Sequence, residues 1–277
     1  MNHNPVKSAI RQFGLPRIII VGFFIFLVIA AGGFQMNLMQ LLSDCVRRWG
    51  MFGILTLAMV PAVQCGIGLN FGISMGIVGG LLGGLIVIEL DVARIPALVA
   101  VGPMFGMWVS VLVAILIGVV LATGIGYLYG LLLNQVKGSE MTVTTYVGFS
   151  IIAFMNMLWM LLPFQNGELK WPNAGKGLRN TISLSTSFSG VMNDTLSFKI
   201  GNFTVPTGLL LFMFFMCLLV WLFMKSKTGM AMSAAGSNPM FAKAAGINVN
   251  RMRLVGTTLS TVLAAVGIIV YAQGFGF

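Results

Sequence analysis

The stretch that decides the fold is WGMFGILTLAMVPAVQCGIGLNFGISMGIVGGLLGGLIVI, residues Trp49–Ile88, which contains no Asp, Glu, Lys or Arg. A helix that crosses the hydrocarbon core of a bilayer needs about 20 apolar residues, so this stretch is long enough for two crossings. The Gly-rich segment Gln64–Asn70 in its middle predicts the turn between them. The sequence therefore predicts an integral membrane protein and not a soluble domain.

Five more windows without charged residues lie along the chain: Ile18–Ser43, Ile95–Val136, Met141–Gly167, Ile200–Met224 and Leu254–Phe277. Within the second of these, Gly102-Pro103 predicts a break between a short half-helix and one long span. We predict an all-α polytopic bundle of seven transmembrane helices, with eight as the alternative. The predicted spans lie near residues 18–34, 49–65, 71–88, 107–133, 145–163, 206–224 and 254–273.

Composition agrees with a membrane protein. Only 8% of the 277 residues are charged, against about 25% in ordinary globular domains, so a water-exposed surface could not be covered. The net charge of +10 comes from basic residues between apolar runs, which favours contact with anionic lipid headgroups and not with nucleic acid. The three cysteines have no metal-ligand spacing and are predicted to be packing residues.

Basic residues also predict the orientation. Lys7, Arg11 and Arg17 precede the first span, and residues 225–253 carry five basic residues and no acidic one. Six predicted crossings separate the two segments, so both can be cytoplasmic, with the loop 164–205 outside. The first apolar run could instead be a cleaved signal, which leaves the remaining topology unchanged.

Glycine spacing predicts close helix packing. Small residues recur every four positions in two series, which are Gly72, Gly76, Gly80, Gly84 and Gly118, Ala122, Gly126, Gly130. This spacing places them on one helix face, where neighbouring backbones can approach.

Residues suited to catalysis are scarce. The single histidine is His3, no acidic residue lies inside a predicted span, and no phosphate-binding G-x-x-x-x-G-K-[ST] loop occurs. These absences count against a membrane enzyme, an intramembrane proton relay and an ATPase in this chain. No catalytic residue and no metal ligand is predicted.

Uncharged polar and aromatic residues in the spans are candidates for a path taken by a neutral polar solute. They are Gln64, Asn70, Asn156 and Trp159, together with Trp108. Binding sites combine apolar walls with a few polar groups, which these residues could supply. The alternative for each is a role in helix packing or at the membrane interface.

The segment AAGSNPMFAKAAGINV, residues Ala234–Val249, predicts a short surface helix between two spans. Asn238 can cap it and Pro239 suits its first position. Ala242 keeps the helix slim, and Gly246 can end it in a left-handed turn. Such a helix could fit a groove on a partner, and the alternative is a plain connector.

This segment, with Gly236, Asn238, Ala242, Gly246 and Ile247 at fixed offsets, resembles the cytoplasmic coupling loop of ATP-binding-cassette importer permeases. The branch it is most similar to serves ribose, galactosides and other simple sugars, and a more distant branch serves branched-chain amino acids and nucleosides. Pro61–Gly80 resembles the turn between the second and third spans of that family, usually G-G-I-D-L-S-x-G, although Gly68 and Asn70 replace its Asp and Ser.

The resemblance implies a permease subunit that imports a small polar solute, with a monosaccharide expected and a nucleoside or branched-chain amino acid as the alternative. A secondary transporter is a more distant alternative. The implied partners are cytoplasmic ATPase subunits that bind ATP and magnesium, a second permease copy or paralogue, and an extracytoplasmic solute-binding protein, all at the bacterial inner membrane. Related permeases usually continue for two or three helices beyond the position of Phe277, so the last helices of the family fold are expected to be missing from this chain.

Overall fold

The computed structural model describes residues 14–167, 169, 172–173, 177–178, 181–185, 187–201 and 203–276. Within these ranges seven helices are long and apolar enough to cross a membrane: Pro16–Gly33, Leu38–Gln64, Phe71–Arg94, Met104–Gln135, Glu140–Leu161, Thr207–Lys225 and Val249–Phe275. The predicted all-α bundle with seven spans is confirmed. His3, Lys7 and Arg11 lie outside the described residues.

The helices follow one another in chain order, with short connections between most of them. They are α1 Leu15–Gly33, α2 Leu38–Leu57, α3 Met59–Gln64, α4 Ser74–Glu89, α5 Pro96–Val99, α6 Pro103–Gln135, α7 Glu140–Leu161, α8 Val191–Asp194, α9 Thr207–Lys225, α10 Lys227–Ser237, α11 Pro239–Ala244 and α12 Val249–Phe275. Two 3₁₀ turns, Phe71–Ile73 and Val92–Arg94, flank α4. Two antiparallel hairpins pair β1 Pro172–Asn173 with β2 Gly177–Leu178, and β3 Phe198–Ile200 with β4 Phe203–Val205.

The chain forms two compact units. The first consists of the residues up to Val46 and the hairpin Phe198–Val205. In it, Ser43 Oγ donates a hydrogen bond of 2.5 Å to the Thr204 carbonyl. After Arg17, helix α1 is apolar on all sides, as its sequence IIIVGFFIFLVIAAGG shows, and this is the composition of a helix that faces lipid.

The second unit contains Arg47–Ser197 and Pro206–Phe277 and is built around three helices. Helices α4, α6 and α12 pack most extensively on one another. Their contact surfaces hold the buried residues Val78 and Leu85 of α4, Val111 and Ala114 of α6, and Leu263, Ala264 and Val270 of α12. The sites described below lie against this three-helix core.

The close packing predicted for the glycine series is confirmed at Gly76 and Gly80, whereas Gly84 has no such close neighbour. A Cβ added to Gly76 would meet the Thr261 carbonyl, and one added to Gly80 would meet the Ala265 carbonyl, both on α12. On another face of α4, a Cβ on Gly83 would lie only 2.6 Å from the Gly118 nitrogen of α6. The backbones therefore approach within distances that only glycine permits.

Three helix starts differ from the predictions by five residues or more. Helix α2 begins at Leu38 and not near residue 49, α7 begins at Glu140 and not near residue 145, and α12 begins at Val249 and not near residue 254. The added residues include charged ones: Asp44, Arg47 and Arg48 in α2, Glu140 in α7, and Arg251 and Arg253 in α12. Charged residues mark the limit of the hydrocarbon-spanning segment, but a helix can continue beyond that limit into the polar region, so the uncharged windows were too short.

The close approach at Gly83 predicts the effect of a single methyl group. Gly83→Ala places a Cβ against the backbone of α6, and overpacking of this kind typically costs about 1–3 kcal/mol. The melting temperature of the purified protein in detergent should fall. Gly124→Ala is the matched control, because its added Cβ would have no neighbour within 4 Å and alanine favours the helix. An equal effect of the two substitutions would contradict the packing described.

Candidate functional site

A cavity of about 290 Å³ lies within the second unit. Its walls come from the second half of α4, from α7, from residues 181–184 with Phe188, and from the last turns of α12. The described lining residues are Gly80, Leu81, Gly84, Leu85, Ile88, Met155, Asn156, Trp159, Thr181, Ile182, Leu184, Phe188, Ile268, Ile269 and Ala272. None of these is charged, so the cavity is suited to an uncharged ligand.

Two of the predicted path residues, Asn156 and Trp159, line this cavity. They are three residues apart on α7 and so lie on one helix face. Trp159 Nε1 donates a hydrogen bond of 3.3 Å to the Leu169 carbonyl, which fixes the indole ring. Gly84 keeps space open opposite them, since a Cβ there would have Phe188 as its nearest neighbour at 3.9 Å.

The other two, Gln64 and Asn70, lie at the opposite end of α4, in the turn that precedes it. Asn70 is fully buried. Its Oδ1 accepts hydrogen bonds from Tyr129 Oη at 2.8 Å and from the Gly72 nitrogen at 3.1 Å, and its Nδ2 donates to Ser260 Oγ at 3.3 Å. Gln64 Oε1 accepts from Ser233 Oγ at 3.2 Å. The structure thus places Asn156 and Trp159 at the cavity, and Gln64 and Asn70 at the turn.

Trp108 contributes to a polar layer beyond the cavity. Its Nε1 donates to Thr195 Oγ1 at 3.1 Å. In the same layer the buried Gln273 accepts a bond from the Met192 nitrogen at 3.1 Å through its Oε1, and its backbone carbonyl accepts one from Gly190 at 2.7 Å. Leu184, Gly190 and Met192 are therefore held against the end of α12.

The predicted surface helix is present as α11. Asn238 Oδ1 accepts from the Phe241 nitrogen at 3.0 Å, and Pro239 occupies the first helical position. At the other end Gly246 has a φ of +81°, and the Ile247 nitrogen donates to the Ala242 carbonyl at 2.9 Å. The capping functions predicted for Asn238 and Gly246 are confirmed.

Ala242 faces other helices of its own chain. Its side chain has no exposed surface and packs with Ala235 and Val249, beside Ile247. Ala242 is small because α11 lies against α10 and α12 of its own chain, and not because a partner approaches it. Gly236 is likewise internal, since a Cβ on it would meet the Gln64 carbonyl.

The side chains that α11 presents to the outside were missed from the sequence. Met240 is 79% exposed and Phe241 is 70% exposed. A signal was available, because these are the only two large apolar residues between Gly236 and Gly246. Exposed Met and Phe side chains beside each other are typical of a protein contact surface.

The charge on this end of the second unit is strongly positive. Lys225, Lys227, Lys243 and Arg251 are exposed, and the chain has no acidic residue after Asp194. Glu140 is bound to Arg253 at 2.6 Å, with side chains only 15% and 11% exposed, so it does not compensate the exposed cations. An anionic surface would be attracted to this end.

Comparison with known proteins identifies the family to which the chain belongs. Residues 13–277 match the family described as branched-chain amino acid transport system / permease component. The chain belongs to this permease family. The permease is also 26% identical over 163 residues to the nucleoside ABC transporter permease protein NupB of Lactococcus lactis subsp. cremoris (strain MG1363). That alignment covers 59% of the permease and 43% of NupB, so the chain spans less than half the length of this relative. No solved structure matches the permease.

These matches confirm the resemblance at the level of the permease family. They do not distinguish the simple-sugar branch, which stays a prediction.

Proposed function

We propose that this permease is the membrane subunit of an ATP-driven importer for a small neutral polar solute. The observation that carries the proposal is the arrangement along α12. Its first turn packs on the exposed, capped helix α11 through Val249, and its last turns line the cavity through Ile268 and Ala272. One helix thus joins a surface suited to a protein partner with a chamber suited to a solute.

The proposed partner of α11 is a cytoplasmic ATP-binding-cassette subunit, which would bind ATP and magnesium. Met240 and Phe241 would be the contact side chains, with Lys243 beside them. Asn238, Gly246 and Ile247 shape α11, while Gly236 and Ala242 pack it against the permease. A second permease copy or paralogue and an extracytoplasmic solute-binding protein complete the proposed importer.

The proposed orientation places residues 225–253 and the N-terminus in the cytoplasm and residues 164–205 outside, in a bacterial inner membrane. The two ends of α12 support this orientation. Helix α11 packs at its first turn, and Gly190 bonds Gln273 near its last turn, so the two segments lie at opposite ends of one spanning helix. The exposed lysines near α11 agree with a cytoplasmic location because such residues concentrate on that side.

The cavity lining supports one class of solute over another. Among the described lining residues, Thr181 and Asn156 are the polar side chains apart from the Trp159 indole, while Trp159 and Phe188 supply aromatic surface. A nucleoside carries the hydroxyl groups of a sugar and adds a flat aromatic base, for which Trp159 and Phe188 supply stacking surface. NupB is named as a nucleoside permease. We therefore favour a nucleoside, with a monosaccharide as the second candidate.

The orientation can be tested with single cysteines at Ser237 and Ser185, both exposed, in a background without the native cysteines. An impermeant maleimide added to intact spheroplasts should label Ser185→Cys, and Ser237→Cys should react only after the membrane is permeabilised. The reverse pattern would contradict the proposed orientation.

The contact with the ATPase can be tested at Phe241. Phe241→Asp should reduce copurification of the ATPase by about tenfold or more, because exposed aromatic anchors commonly contribute at least 2 kcal/mol to association. The amount of permease in the membrane should not change, since the side chain is 70% exposed. Leu196→Asn is the control: Leu196 is 69% exposed on the cavity side, and its φ of +55° suits asparagine. Normal copurification with Phe241→Asp would show that α11 is only a connector.

The solute class can be tested by competition. Uptake of a labelled nucleoside should be inhibited by excess unlabelled nucleoside and not by ribose or leucine. Asn156→Ala should lower that uptake by about tenfold, the effect of losing one hydrogen-bonding partner of a buried ligand. Met157→Ala, at a neighbouring position that is 63% exposed, should have little effect. Competition by ribose would favour the monosaccharide instead.

A further inference from the structure

The turn Gln64–Asn70 and helix α10 meet backbone to backbone. A Cβ on Gly66 would lie 2.9 Å from Gly236 Cα, and a Cβ on Gly236 would lie 2.7 Å from the Gly66 nitrogen. Because both residues are glycines, no side chain separates the two backbone segments. Gly66 has a φ of +79°, a conformation that also requires glycine at this position.

Side chains strengthen this contact on both sides. Ser233 Oγ donates to Gln64 Oε1 at 3.2 Å. Met232 of α10 is fully buried in one cluster with Cys65 and Ile67 of the turn. Closely packed interiors transmit displacement because they have little free volume to absorb it. Helix α10 and the turn should therefore move together.

The turn is also hydrogen-bonded to the three-helix core. Asn70 accepts from Tyr129 Oη of α6 and donates to Ser260 Oγ of α12, and all three residues are at most 1% exposed. The turn also leads directly into α4 through the 3₁₀ segment Phe71–Ile73. Two of these helices, α4 and α12, form walls of the cavity at their far ends.

We propose that the Gly66–Gly236 contact is a positioning contact, through which a displacement of α11 and α10 reaches α4, α6 and α12 and changes the shape of the cavity. The proposal rests on the proposed function and adds a second connection beside the direct continuation of the chain from α11 into α12. In this arrangement Gln64 and Asn70 act in transmission and do not touch the solute.

Direct continuity alone would not require this contact. If α12 were the sole connection, the surface between α10 and the turn could tolerate a methyl group without loss of coupling. The close approach of the two backbones instead makes coupling sensitive to any added atom at Gly236. A substitution at Gly236 therefore distinguishes coupling through this contact from coupling through α12 alone. If the contact transmits the displacement, the amount of solute taken up per ATP hydrolysed falls. A purely structural defect would lower the rate of uptake and the rate of hydrolysis together.

The test is Gly236→Ala in the complete importer reconstituted in liposomes, with ATP hydrolysis and solute uptake measured on the same preparation. The Gly236 φ is not positive, so alanine suits the helix and any effect comes from the added Cβ. ATPase copurification and hydrolysis should remain near normal, while uptake per ATP should fall about fivefold or more, the lower end of typical coupling energies. Gly124→Ala, with no neighbour within 4 Å of its added Cβ, should leave the ratio unchanged.

A second variant covers the case in which Gly236→Ala does not accumulate. Tyr129→Phe keeps the ring and removes only the hydroxyl that bonds Asn70, and the same fall in uptake per ATP is expected. An unchanged ratio, or a proportional loss of hydrolysis and uptake, in the variant that accumulates would overturn the proposed transmission. Absence of ATP-dependent uptake by the wild-type importer would count against the proposed function itself, so the two failures can be told apart.

Discussion

The structure depends on the close approach of three helix backbones. Inside a bilayer the hydrophobic effect does not favour one apolar surface over another, so helices associate through dispersion contacts and hydrogen bonds. Both require short distances, and the glycines of α4 provide them by removing the Cβ atoms that would hold α6 and α12 apart. The buried polar residues fit the same principle. Asn70 can bond both Tyr129 and Ser260 only because the helices that carry these residues are already close.

The sequence predicted the number of spans because hydrocarbon excludes charge, and that constraint is visible residue by residue. It also predicted the capping of α11, since Asn238 and Gly246 act through their own local backbone. The starts of the helices were predicted less well. The first turn of α12 extends beyond the apolar window, and Arg253 there pairs with Glu140 of α7, a contact that a single sequence does not display.

The same limit applies to the candidate sites. All four path residues were predicted from their chemistry alone. Asn156 and Trp159 lie together because their spacing gives them a common helix face, whereas Gln64 and Asn70 lie at the other end of α4. Ala242 shows the ambiguity of small residues. A small side chain indicates that another backbone lies close to it. That backbone can belong to a partner protein or, as here, to α10 and α12 of the same chain. Only the three-dimensional arrangement distinguishes the two.

The length of α6 has a consequence for the membrane around this permease. At 33 residues it is about 50 Å long, against a hydrocarbon thickness of about 30 Å. Its first turns are partly covered by protein, as the bond from Trp108 to Thr195 shows. A helix longer than the hydrocarbon is thick can be accommodated by tilting. Because glycine contacts fix α6 to α4 and α12, a tilt that matches a thicker or thinner bilayer should be shared by all three helices and leave their packing unchanged. The three-helix core can therefore adapt to lipid composition by changing its inclination in the membrane.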